Sequence, residues 1–209
     1  FEPDLLALSC TEDMWHLGLR LLRHIRPTRR VLTVAGGVFP TFAAELVLGH
    51  DEIDIVCKGE GEIALRKLAD RVGRDQDYTD IPNLLTMNEN GLIRSNPIEM
   101  VDMNSNPLID LSHFEEARFY RPMGGRVWRM FPVETHRGCP YKCAFCNSPS
   151  QMAMYRDELG ENYLWWKTFD NMFRELNFYK EEMGAARFFV VDQEPSDTGV
   201  RQAVDSLQP

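Results

Sequence analysis

A chain of 209 residues, 44% apolar and 26% charged, has the make-up of one large or two small globular domains with a substantial core. Its formal net charge of −9 argues against nucleic acid as the main partner, because a polyanion needs a basic surface. No apolar run approaches the ~20 residues of a membrane span, no signal-peptide pattern opens the chain, and five cysteines with three clustered do not make a disulfide framework, so a reducing cytoplasm is the expected compartment.

The first seventy or so residues alternate strand and helix. The run DLLALSC (4–10) suits a buried parallel strand. A helix follows over 13–26, with Met14, Leu17, Leu21 and Ile25 as its expected core stripe and Asp13 as its N-cap. Then come a strand over 29–37 that ends in paired glycines, a short helix over 41–50, a strand over 53–59 and a helix over 61–72. Strand–helix repetition with short connections predicts an α/β fold with a doubly wound parallel sheet. Residues 83–97 predict two short strands around the turn NENG, and 98–125 an ordered linker rich in Pro, Asn and Gly. A strand over 126–135 precedes the cysteine loop. A helix over roughly 168–183, stopped by Gly184, and a buried strand over 186–192 follow it. Trp165 and Trp166, just before that helix, are expected to pack or to wall a cofactor.

Three of the five cysteines, Cys139, Cys143 and Cys146, fall within eight positions in GCPYKCAFC. Three thiolates on one short loop point to a metal centre. Zinc would need a fourth ligand; His136 is near in sequence, but its spacing is unusual for zinc. A ferredoxin-type site would need a fourth cysteine, and Cys10 and Cys57 lie on expected buried strands in the other half, as inert apolar thiols. Three cysteines without a fourth fit a [4Fe–4S] cluster with one iron open to another molecule.

The Cys139-x3-Cys143-x2-Cys146 spacing, with Phe145 just before the last cysteine, resembles the signature of the radical S-adenosylmethionine enzymes. The resemblance implies that the three cysteines hold three irons and that S-adenosylmethionine chelates the fourth. An electron from the reduced cluster then cleaves the sulfonium to methionine and a 5′-deoxyadenosyl radical, which requires the sulfur to be held beside the iron. It also implies that Phe145 packs beside the adenine, that Gly138 and Pro140 shape the turn, and that Asp192 touches the methionine end. Arg137 and Lys142 flank the loop, where they offset cluster charge or face water. The family's core is a (β/α) barrel with sites at the C-terminal strand ends, and such a barrel takes about 200 residues. Only 63 residues follow Cys146, so the chain is expected to be a piece of the enzyme it resembles.

The first half resembles the cobalamin-binding domain of the B12-dependent branch of that family, through LALSCTED (6–13), VAGGVFPT (34–41) and CKGEGE (57–62). Each segment lies where a strand end meets a loop, the place where open α/β sheets bind ligands. The resemblance implies that Ser9 and Thr11 hydrogen-bond the cobalamin nucleotide tail, that Gly36 and Gly37 let backbone approach it, and that Gly59, Glu60 and Gly61 line it. An Asp-x-His-x-x-Gly loop for a lower-ligand histidine does not occur; His16, His24, His50 and His113 lack that context. The expected organisation is an incomplete cobalamin-binding-like domain at 1–75, a hairpin and linker at 76–125, and the start of a radical S-adenosylmethionine barrel at 126–209. Expected partners are a small-molecule substrate and a low-potential electron donor such as flavodoxin or ferredoxin. The alternatives are a non-catalytic cofactor-binding module and a zinc- or cluster-bearing structural protein.

Overall fold

The computed structural model describes residues 2–25 and 30–190. The chain divides into two compact units, Phe1–Val101 and Asp102–Pro209.

In the first unit, β1 (Leu5–Ser9), β2 (Leu32–Gly36) and β3 (Ile55–Cys57) run parallel, with Leu5 opposite Leu32, Ser9 opposite Gly36 and Val34 opposite Ile55. The hairpin β4 (Leu84–Met87) and β5 (Ile93–Ser95) continues the sheet antiparallel, so the order is β1-β2-β3-β4-β5. Successive strand residues face opposite ways, and the core divides accordingly. On one face Ala35, Val56 and Leu85 pack against Trp15, Leu19 and Leu22 of α1 (Glu12–Ile25) and Val47 and Leu48 of α3 (Ala44–Leu48). On the other, Val34, Ile55 and Leu84 pack against Ala64 and Leu68 of α4 (Glu62–Val72). Each fully buried Val or Leu here contributes about 1.5–3 kcal/mol through area removed from water. The expected doubly wound arrangement is present, with helices on both faces of three parallel strands.

Three local expectations change. The single helix expected at 41–50 is two five-residue helices, α2 (Val38–Phe42) and α3. Asp13 lies inside the first turn of α1, which begins at Glu12, and does not cap it. The inward face of α1 carries Trp15, Gly18, Leu19 and Leu22, while Met14, Leu17, Leu21 and Ile25 are exposed. Gly18 explains the choice of face: a Cβ there would lie 2.9 Å from the Leu8 methyl carbons, so the glycine brings helix and sheet together. The hairpin expected at 83–97 is present, and the sheet of the first unit absorbs it. Asn83 joins them, its amide nitrogen donating to the Lys58 and Glu99 carbonyls.

In the second unit, β6 (Tyr120–Met123) and β7 (Arg126–Val133) form an antiparallel hairpin around Gly124 and Gly125, and β10 (Arg187–Val190) pairs parallel with β7. The short strands β8 (His136–Arg137) and β9 (Trp165–Trp166) pair with each other. Between them lies α5 (Ser148–Leu159), and α6 (Phe169–Asn177), capped by the Thr168 hydroxyl, runs into a π turn at Phe178–Glu182. The core joins Leu176 and Tyr179 to Phe119, Phe131 and Val133, with the Tyr179 and Phe131 rings stacked 5.0 Å apart. Strands β7 and β10 thus pair in parallel, with α5 and α6 between them in the chain. Among the described residues no helix is long and apolar enough to cross a membrane.

Candidate functional site

The first site gathers at the carboxyl ends of β1, β2 and β3. Backbone bonds stitch the loops together: Cys10 N–H donates to Gly36 O at 3.1 Å and Phe39 N–H to Cys10 O at 3.3 Å. Ser9 and Thr11 are exposed on this rim, and Gly36, Gly37, Gly59 and Gly61 are partly buried along it. The Thr11 hydroxyl donates to the Asp13 carboxylate.

The paired glycines differ in kind. Gly37 has φ +93°, and a Cβ there would lie 2.9 Å from Cys10 O and 3.0 Å from Ser9 Oγ, so its backbone and its neighbours both demand glycine. At Gly36 a Cβ would meet only Cys57, at 3.6 Å, an ordinary contact. Among the described residues nothing requires glycine at 36. The missing side chain leaves backbone bare at a strand end, which is the surface a flat, extended ligand can approach. Ser9 lies opposite Gly36 in the β1–β2 register, so this hydroxyl-bearing residue and the bare backbone share one strand end.

Glu60 departs from its expected place. Its side chain is buried, and its carboxylate accepts a 2.6 Å hydrogen bond from Val101 N–H, so it braces the unit instead of lining the rim. Cys57 is buried beneath the rim, and burial, with the Glu62 carboxylate adding to it, pushes its thiol pKa up to about 12. Thr41, inside a segment of interest by sequence but without a periodicity signal of its own, is buried and bonded to two loops. Its hydroxyl donates to Gly37 O at 2.8 Å and accepts from Gly59 N–H at 3.0 Å. A separate cleft of about 880 Å³ opens at the other ends of β2 and β3, beside Leu32, Asp54 and Tyr78, away from the glycine rim.

The second site is the loop after β7 and β8. Its stem is fixed. His136 is buried with its ring stacked 4.4 Å from that of Trp166, and Trp165 and Trp166 both remain exposed. Arg137 grips Glu134 through two bonds of 3.0 and 3.2 Å. Lys167 N–H donates to Thr135 O, and Lys167 Nζ meets Glu175 at 2.6 Å, joining β9 to α6. This brace, completed by Tyr179 O–H donating to Glu175 at 3.2 Å, gave no signal in the sequence. Gly138 turns the chain at φ +90°, where a Cβ would fall 1.8 Å from Tyr163 O, so only glycine fits.

Beyond Gly138, Cys139 is buried, whereas Cys143 and Cys146 are partly exposed. Cys146 N–H donates to Cys143 O at 3.1 Å, and Ser148 N–H, at the start of α5, donates to Cys146 Sγ at 3.4 Å. Among the described residues no three His, Cys, Asp or Glu side chains converge closely enough to hold a single metal ion. The donor set is nonetheless three thiols on one loop, which suits an iron–sulfur cluster better than a lone cation. His136, engaged in the stem, is not gathered with them. Phe145 is 94% exposed and Lys142 exposed, while Asp192 lies outside the described residues.

Comparison with known proteins finds similarity over most of the chain. Residues 1–69 match the B12 binding domain model. The chain is 29% identical over 176 residues to the cobalamin-dependent radical SAM methyltransferase TokK of Streptomyces tokunonensis, covering 79% of this chain and 25% of that protein. It is 30% identical over 158 residues to an uncharacterized methyltransferase of Pyrococcus horikoshii, covering 72% and 33%. The chain thus spans a quarter to a third of these relatives. Among solved structures, the cobalamin-dependent S-adenosylmethionine radical enzyme OxsB, with aqua-cobalamin and S-adenosylmethionine bound, superposes with a TM-score of 0.68 at 20% identity, over 97% of this chain and 28% of that one. TsrM of Kitasatospora setae, with cobalamin and a [4Fe–4S] cluster bound, gives 0.65 at 20% identity, over 99% and 40%. At such identities the structural likeness is one of fold.

Proposed function

From the premise that this chain is a relative of the cobalamin-binding radical S-adenosylmethionine enzymes, we propose that it binds cobalamin in its first unit and a [4Fe–4S] cluster with S-adenosylmethionine in its second. The observation that carries the reading is the pairing, in one chain, of a glycine rim within a B12-binding match and a three-thiol loop set after a strand. When bound, these groups supply reductive cleavage of S-adenosylmethionine and methyl transfer or radical rearrangement on a small-molecule substrate. The chain's own residues have separate duties. Gly36 and Gly37 present backbone, Ser9 and Thr11 offer hydroxyls to the nucleotide tail, and Gly59 and Gly61 line it. Cys139, Cys143 and Cys146 ligate iron, leaving one iron without a protein ligand, and Phe145 offers an exposed ring and its backbone to the adenine. A reducing compartment and a low-potential donor of the flavodoxin or ferredoxin kind complete the proposal.

The test is anaerobic reconstitution with iron, sulfide and hydroxocobalamin, followed by electron paramagnetic resonance of the dithionite-reduced protein. The expected result is a [4Fe–4S]⁺ signal that changes on adding S-adenosylmethionine, with corrinoid absorbance that stays with the protein through gel filtration. A chain that retains zinc, with no cluster signal and no corrinoid, would refute the proposal.

A further inference from the structure

A single buried hydroxyl holds two of the loops that frame the glycine rim. Thr41 is 7% exposed and belongs to α2, a helix too short to be rigid by itself. Its Oγ1 donates to Gly37 O, in the loop after β2, at 2.8 Å, and accepts from Gly59 N–H, in the loop after β3, at 3.0 Å. The Thr41 backbone N–H also donates to Gly37 O, at 3.2 Å. A hydroxyl is one of the few small groups that can donate and accept at once in so little space. A methyl in its place would leave the Gly59 amide without this acceptor. The strands behind the loops are set by the sheet, since β2 and β3 pair through Val34–Ile55 and Ala35–Val56. That pairing ends before Gly37 and Gly59, so the spacing of the loops beyond it depends on contacts such as this one.

We infer that Thr41 is a positioning residue for the cobalamin site: its hydroxyl fixes the separation of the Gly37 and Gly59 backbones, between which the nucleotide tail is held. The inference rests on the cobalamin reading above. It assigns no contact between Thr41 and the ligand; its effect passes through the two glycine loops.

The experiment measures hydroxocobalamin affinity of the whole chain by equilibrium dialysis, for wild type, Thr41→Val and Thr41→Ser. Far-ultraviolet circular dichroism and thermal melts of the ligand-free proteins run alongside. Thr41→Val keeps the shape and removes the hydroxyl; the expected result is at least a tenfold weaker affinity with a retained fold. Thr41→Ser keeps the hydroxyl and is expected to stay within threefold of wild type. If Thr41→Val does not fold, Thr41→Ala is compared with Thr41→Ser, both smaller than threonine and differing in the hydroxyl alone. Equal affinity in the deciding pair overturns the inference and leaves the cobalamin reading standing. A wild-type chain that does not bind hydroxocobalamin overturns both.

Discussion

The Glu60 carboxylate accepts a 2.6 Å hydrogen bond from the backbone N–H of Val101, 41 residues further along the chain, and both residues are buried. A side chain two residues before α4 thereby fastens the last segment of the first unit. Replacing Glu60 by Ala strands a buried amide, which costs about 1–3 kcal/mol. Urea unfolding should show that loss. Cobalamin affinity should change less than threefold, because the carboxylate is turned into the protein; a variant with normal stability and lost binding would return Glu60 to the rim.

The paired glycines separate structure from ligand clearance. Gly37→Ala meets a positive φ and close backbone atoms, and should destabilise the chain by more than about 1 kcal/mol. Gly36→Ala meets only an ordinary contact with Cys57 and should leave the melting temperature unchanged or raised. Its cobalamin affinity should nevertheless fall about tenfold or more. Equal binding by Gly36→Ala and wild type would show that the bare backbone there serves no ligand.

Iron content divides the five thiols. Single Ala variants of Cys139, Cys143 or Cys146 should lose most of the iron and sulfide taken up on anaerobic reconstitution. Ala variants of Cys10 and Cys57 should keep it. Retention of full iron by any one of the first three would remove that cysteine from the ligand set.

Cys57 also gives a pH signature. Its thiol pKa is raised from its ordinary 9.0 to about 12 by burial and, secondarily, by the Glu62 carboxylate. Above pH 9 the unfolded chain sheds a proton that the folded chain keeps, which favours unfolding. Stability contributed by this group is therefore complete below pH 9 and is lost between about pH 9 and 12, with a slope of up to about 1.4 kcal/mol per pH unit. Urea midpoints of wild type and Cys57→Ala should converge over that range, because the variant lacks this titration. Parallel pH dependence would exclude it.

The parallel strands of the first unit are legible because β2 and β3 are short apolar runs buried on both faces, and loops at their carboxyl ends follow from the topology. The face of α1 is not legible. Two apolar rows are available, and the choice falls to Gly18, a residue that no hydrophobicity pattern counts as a contact. Helix α5 buries only Tyr155, so it has no apolar stripe to detect. Strand β6 carries Pro122 and ends at Gly124 and Gly125, chemistry that reads equally as linker. At the sites, the cysteine spacing is visible as a pattern, whereas Thr41, Glu60 and the Lys167–Glu175 brace act through distant partners that a linear pattern does not pair.

The unequal burial of the thiols sets how the chain ages in air. Oxidation follows thiolate character and access. Cys143 and Cys146 have access, whereas Cys10 and Cys57 are buried with their pKa values raised. Oxygen is therefore expected to reach Cys143 and Cys146 before Cys10 and Cys57. If the proposed cofactors are bound, an aerobically handled sample would lose its capacity for iron before its capacity for a corrinoid.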